Sequence, residues 1–206
     1  MANSFVNLKT VQITADTVAL DADGISVATS VGNNAALVIG GALASGGAVV
    51  LKHGRIVTIL SAGNDAAKSF TVTGTDINGA AQTESITGAN AGTATGTKFF
   101  LTVSGISAVG NPAGNVSAGV NATAADVIVI SAARLKGVSF TSTGTAGILS
   151  FVTTSPSGTL VLKLGSVADA TATRDLNIPD EGTKFSSGIY IQYTVSTFLT
   201  MTVFHA

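Results

Sequence analysis

The chain has 206 residues, of which 10% are charged and 46% hydrophobic, with 10 Lys and Arg against 11 Asp and Glu and a formal net charge of −1. With no basic field and no run of lysine or arginine, nucleic-acid binding by phosphate neutralisation has no support. With no cysteine, a disulfide scaffold and a thiolate metal site are both excluded.

Ordinary soluble domains carry about 25% charged residues, so Thr, Ser, Gly and Ala must cover most of this surface. A neutral surface of that kind loses little electrostatic solvation when it packs against another protein, which favours an assembly component. The length suffices for one substantial core or two small ones.

In chain order, MANSFVNLKTVQIT has one lysine and no apolar core ahead of a cleavage site, so no export signal is read there and folding in a reducing cytoplasm is expected. VQIT is the first strand. LDADGIS sets Asp21 and Asp23 beside Gly24, but Ile25 and Val27 stand where a calcium loop would continue with oxygens. An Asp-Gly turn between strands is expected. NAALVIGGALASGGAVVL, 34–51, is uncharged and near the length of a short membrane span. Its glycines instead predict two strands, AALVI and AVVLK, joined by a Gly-Ser-rich loop. His53 follows without a motif partner, and RIVTIL is the next strand.

SFTVTGTDINGAAQTESITG, 69–88, is the most informative stretch. Asn-Gly between alternating runs is a strong hairpin signal. A two-residue loop at Asn78-Gly79 places Phe70 and Val72 with Ala81 and Thr83, leaving Glu84 on the polar face with Thr71 and Thr73. A three-residue loop, Ile77 to Gly79, slips the register by one and carries Glu84 to the apolar face along with Ile86. The cost of setting a carboxylate against Phe70 and Val72 favours the two-residue loop, with Asp76 and Glu84 in solvent and no metal bound.

GANAGTATGTK, 88–98, has the flavour of a phosphate loop, but Phe99 follows Lys98 where Ser or Thr is required, and a strand follows where a helix is required. It is read as a loop. KFFLTVSGIS and DVIVIS are strands, and 110–121 between them is expected to be an exposed loop. Texture changes near Ala133, where an Ala/Gly-rich part gives way to longer β-branched and aromatic strands. Two domains are expected, an N-terminal Ala/Gly/Thr-rich β domain over 1–133 and a small C-terminal β-sandwich over 134–206.

The strands VSFTS, ILSFVTT, TLVLKL, IYIQYTV and FLTMTVF fill the second part, with Asp180 and Glu181 after Pro179 forming a solvated corner. GTKF opens a strand at both Gly96 and Gly182, a faint internal echo. His205 stands alone near the end. The fold class expected is all-β, two β-sandwich domains of jelly-roll-like or Ig-like type with very little helix. No elbow, paired-carboxylate or metal-spacing motif appears, so no catalytic, cofactor-binding or metal residues are assigned, no cofactor is expected, and the chain is read as not an enzyme.

FTVTGTDINGAAQTESITGANAGTATGTKFFLTVSGIS resembles a pattern of tailed-bacteriophage virion proteins, a Thr-rich Asp-x-Asn-Gly hairpin followed by a Thr-Glu-x-x-Thr-Gly segment. It covers about a fifth of the chain. The C-terminal stretch from GTLVLKLGSV through GIYIQYTVSTFLTMTVFHA is similar to small phage structural β-domains. The resemblance implies a capsid decoration or cement protein, made in the host cytoplasm and located in the virion. Its implied partners are the major capsid protein and copies of itself in a homo-oligomer, with no nucleic acid and no membrane. A tail, neck or host-adhesion component of the virion is the alternative it implies.

Overall fold

The computed structural model describes residues 7–166, 168, 171–179 and 181–206, and among these every regular element is a strand. The fold is all-β and sandwich-like, with antiparallel pairing throughout. β1 is Lys9–Thr14; β2 to β8 are Asp21–Ser30, Ala44–Ser45, Ala48–Ser61, Ser69–Thr75, Ala81–Thr87, Thr93–Val109 and Asn115–Val129. β9 to β15 are Ala133–Ser142, Gly147–Thr153, Thr159–Ser166, Thr173–Asn177, Thr183–Phe185, Ile189–Thr194 and Phe198–His205.

The chain forms two compact units: a central one, Val18–Ala125, and a terminal one of Met1–Thr17 with Asp126–Ala206. The division expected between 133 and 134 falls at the start of β9 rather than at the limit of a unit. β1 explains the difference at the N-terminus, because all six of its residues pair with β15, from Lys9 opposite His205 to Thr14 opposite Thr200. A change of composition marks where strand texture alters, whereas a unit is defined by which strands share backbone hydrogen bonds.

In the central unit the order β6-β5-β7-β4-β8 carries β2 on β8 and the short β3 on β4. Its core holds Ile25, Val57, Phe70, Phe100, Ile106 and Val116, none more than 1% exposed. β7 is 17 residues long; Thr93 to Val103 run beside β4, and Thr102 to Val109 beside β5. One strand thus serves two neighbours along different halves.

Two expectations for this unit change. AALVI contributes only a single bridge, Ala36 opposite Ser107, and the turn lies between β3 and β4 at Gly46-Gly47, both with positive φ. Asp21 to Gly24 lie inside β2, where the pairing with β8 skips from Asp21 to Ser26. The Asp-Gly pair therefore forms a bulge within a strand, with Asp21 Oδ1 accepting the Asp23 N–H at 3.2 Å.

In the terminal unit β15 joins β1 to β9, whose other edge takes β13 and β12 in succession, while β10 lies between β11 and β14. Its core includes Leu135, Phe151, Phe185, Ile191 and Met201. Tyr193 meets Phe198 edge to face at 4.9 Å between ring centres, an arrangement favoured by aromatic quadrupoles.

Candidate interaction platform

Three connections of the central unit emerge at one end, and the registers dictate this. Leu60 of β4 lies opposite Thr93 of β7, Ser61 opposite Val116 of β8, and Ser69 of β5 between Thr87 and Val109. The loops 62–68, 88–92 and 110–114 are therefore brought together although they are remote in sequence.

Backbone bonds weld them. Asp65 N–H donates to Ala89 O at 2.9 Å, Ala91 N–H to Gly63 O at 2.8 Å, Ser61 N–H to Gly92 O at 2.9 Å and Ala62 N–H to Asn115 O at 2.9 Å. The third loop is held by a side chain: Asp65, fully buried, accepts the Ala113 N–H on Oδ1 at 2.7 Å. Its other oxygen has no hydrogen-bond partner among the described residues. Pro112 is buried and Lys68 half-buried, so the exposed positions are alanines and asparagines such as Ala62, Asn64, Asn90, Ala91, Asn111 and Ala113.

The result is a tied surface of short side chains with no fully exposed charge. Such a surface immobilises few rotamers when it docks, and its amides and backbone offer hydrogen bonds. GANAGTATGTK splits between this platform and β7, with no helix behind it. The loop expected over 110–121 ends at Gly114; from Asn115 the chain is β8, and Val116, Ala118 and Val120 are core.

The hairpin is the main correction. β5 and β6 pair Thr75 with Ala81, Val72 with Glu84 and Phe70 with Ile86. The loop is Ile77 to Gly79, with Gly79 at φ 82°. Asp76 organises it, Oδ1 accepting N–H groups from Asn78 at 2.8 Å and Ala80 at 2.9 Å. Glu84 is therefore on the core face and buried.

Its carboxyl is satisfied from β7. Oε1 accepts the Thr97 N–H at 2.6 Å and Thr97 O–H at 2.9 Å, while the Lys98 N–H lies 3.3 Å from each oxygen. A Cβ at Gly96 would come 2.6 Å from Oε2, so glycine makes the room. These donors offset the burial cost that had favoured the other register. Gln82 Nε2 donates to Phe99 O and Lys98 Nζ to Thr83 O, each at 2.8 Å. Side chains thus tie β6 to the first half of β7, in place of a backbone ladder.

The other singled-out residues stay apart. His53 and His205 are both buried, in different units. Burial, with a smaller contribution from Lys9, holds the His205 imidazole below its ordinary pKa. Glu181 forms a 2.9 Å surface pair with Arg134, while Asp180 lies outside the described residues. Among the described residues no three His, Cys, Asp or Glu side chains gather as a metal would need, and no helix is long and apolar enough to cross a membrane.

Three more of the buried polar groups carry no motif in the sequence. Arg55, fully buried on β4, donates to the carbonyls of Val18 at 3.0 Å, Ala19 at 3.4 Å and Asn121. Tyr193 donates to Asp126 Oδ2 at 3.0 Å, and burial followed by the Asp126 charge raises its phenol well above the ordinary range. Asp65 is the third.

No family model matches the chain, and neither the curated proteins nor the solved structures compared with it give a match.

Proposed function

We propose that this chain is a non-enzymatic structural protein of a tailed-bacteriophage virion, which decorates the capsid by binding the major capsid protein and neighbouring copies of itself. The observation that carries the reading is the three-loop platform, whose exposed side chains are small and uncharged. The buried polar groups support it as well, since Glu84, Asp65 and Arg55 all bind the backbone of their own unit. Their chemistry is architectural.

A partner that binds only the assembled shell stabilises it with the logarithm of its concentration over the dissociation constant, and many copies add together. The test compares particles made with and without the protein. Stripped particles should rupture at lower temperature and recover when purified protein is added back. Equal rupture temperatures would contradict it.

A further inference from the structure

β11 is an edge of the terminal unit: among the described residues it pairs with β10 and no other strand. Bare strand edges expose a row of backbone donors and acceptors that template another strand. β11 reads TLVLKLGS and carries one charge, Lys163. Leu164 lies opposite Leu149 and Leu162 opposite Phe151, so both point to the buried face, yet both remain half-buried, and Leu160 is 52% exposed.

An occupant must therefore supply extended backbone, must be apolar or small on that inward face, and must leave space for Lys163 on the other. β11 itself meets all three requirements. The register shift that pairs Phe151 with Leu162 and Val152 with Leu160 leaves Val161 as an extra residue, so Leu162 to Ser166 is the regular stretch. Its midpoint is Leu164.

We infer that two copies of this chain pair antiparallel through β11 across a two-fold axis at Leu164. Directly opposed residues then share a face. Leu164 meets its own counterpart, Leu162 meets Ser166 and Lys163 meets Gly165. A Cβ at Gly165 would have nothing within 4 Å, so the lysine stem crosses bare backbone and no ammonium faces another. A two-fold at Lys163 would oppose two lysines, and one at Leu162 would run through the bulge. The pairing is isologous, as closed dimers require, and a net charge of −1 adds little repulsion between copies. It deepens the self-association in the proposed function and rests on that reading for the expectation that copies meet.

The test uses the full-length protein. Sedimentation equilibrium over a concentration series is expected to show a monomer–dimer equilibrium. Gly165→Lys sets two ammonium groups opposite each other at both flanks of the axis, and loss of the dimer is expected with an unchanged circular dichroism spectrum and a melting temperature that no longer rises with protein concentration. Adding Lys163→Glu to that variant sets a carboxylate opposite each ammonium, and the dimer should return.

Because the chain has no cysteine, Leu164→Cys reports the axis directly. Opposed Cα atoms in an antiparallel pair lie about 4.5–5.5 Å apart, within the roughly 4.4–6.8 Å that a disulfide spans. Mild oxidation should cross-link this variant much faster than Asn90→Cys on the loop platform. A monomeric wild type, a Gly165→Lys variant that still dimerises, a charge swap that restores nothing, or equal cross-linking of the two cysteine variants would each overturn the pairing. Particle association is measured separately, so a protein that is monomeric yet present on particles overturns the pairing and leaves the virion reading standing.

Discussion

Glu84 sits opposite Val72 and beside Phe70 and Ile86, where a carboxyl is tolerated only because β7 presents it with three donors. Glu84→Ala should cost about 1–3 kcal/mol by leaving those donors without their acceptor. Glu84→Gln, keeping one acceptor oxygen, should cost less. Chemical denaturation of both variants tests the order, and an alanine variant as stable as wild type would contradict the account. Alternation along β5 and β6 was legible in the sequence, but it fits two registers equally. What decides between them is Thr97 and Lys98, thirteen and more residues away, and no local pattern announces that contact. His205 carries a pH dependence. Its folded pKa lies below its ordinary value through burial and Lys9, so the unfolded chain takes up a proton that the folded one resists. Stability should fall as pH drops below about 6.5, the unfolded value. Melting temperature measured from pH 7.5 to 5 should fall further for wild type than for His205→Gln; parallel curves would show that this histidine contributes nothing.

At the scale of elements, strands were readable because β-branched and aromatic runs alternate between Gly, Asn, Asp and Ser. The hairpin 69–87 was readable from Asn-Gly, and its loop length was not. In the three-residue loop Gly79 alone has positive φ, while Asn78 does not. Gly79→Ala should therefore cost about 1–2 kcal/mol, from backbone conformation alone since nothing lies within 4 Å of an added Cβ. Asn78→Ala should be nearly neutral, because Asp76 binds its backbone N–H. Equal losses in thermal melts of the two would favour the two-residue loop instead. The loop platform was not legible, since its three segments carry no motif and meet only through the registers of β4, β5, β7 and β8. Asp65 links two of its loops to the third. Asp65→Ala should speed amide hydrogen exchange at Ala113 while leaving protection in β1 unchanged, and unaltered exchange at Ala113 would remove Asp65 from that role.

For the whole molecule, the all-β class followed from period-two alternation and from the lack of amphipathic helical spacing. The two units followed less well, because β1 lies beside β15 at the opposite end of the chain and such a return leaves no trace in local composition. Low charge is the property that connects composition to the proposed decorating role. A surface of Thr, Ser, Ala and Asn is suited to repeated contact within an assembly, and the loop platform concentrates that character at one end of the central unit. A decorating role requires the protein to be present in many symmetry-related copies on the shell. The most direct measurement is its copy number on gradient-purified particles, by quantitative mass spectrometry against the major capsid protein. A decorating protein is expected in many copies at a fixed stoichiometry to that protein; a handful of copies per particle would assign the chain to the tail or neck, and its absence would contradict the virion role altogether.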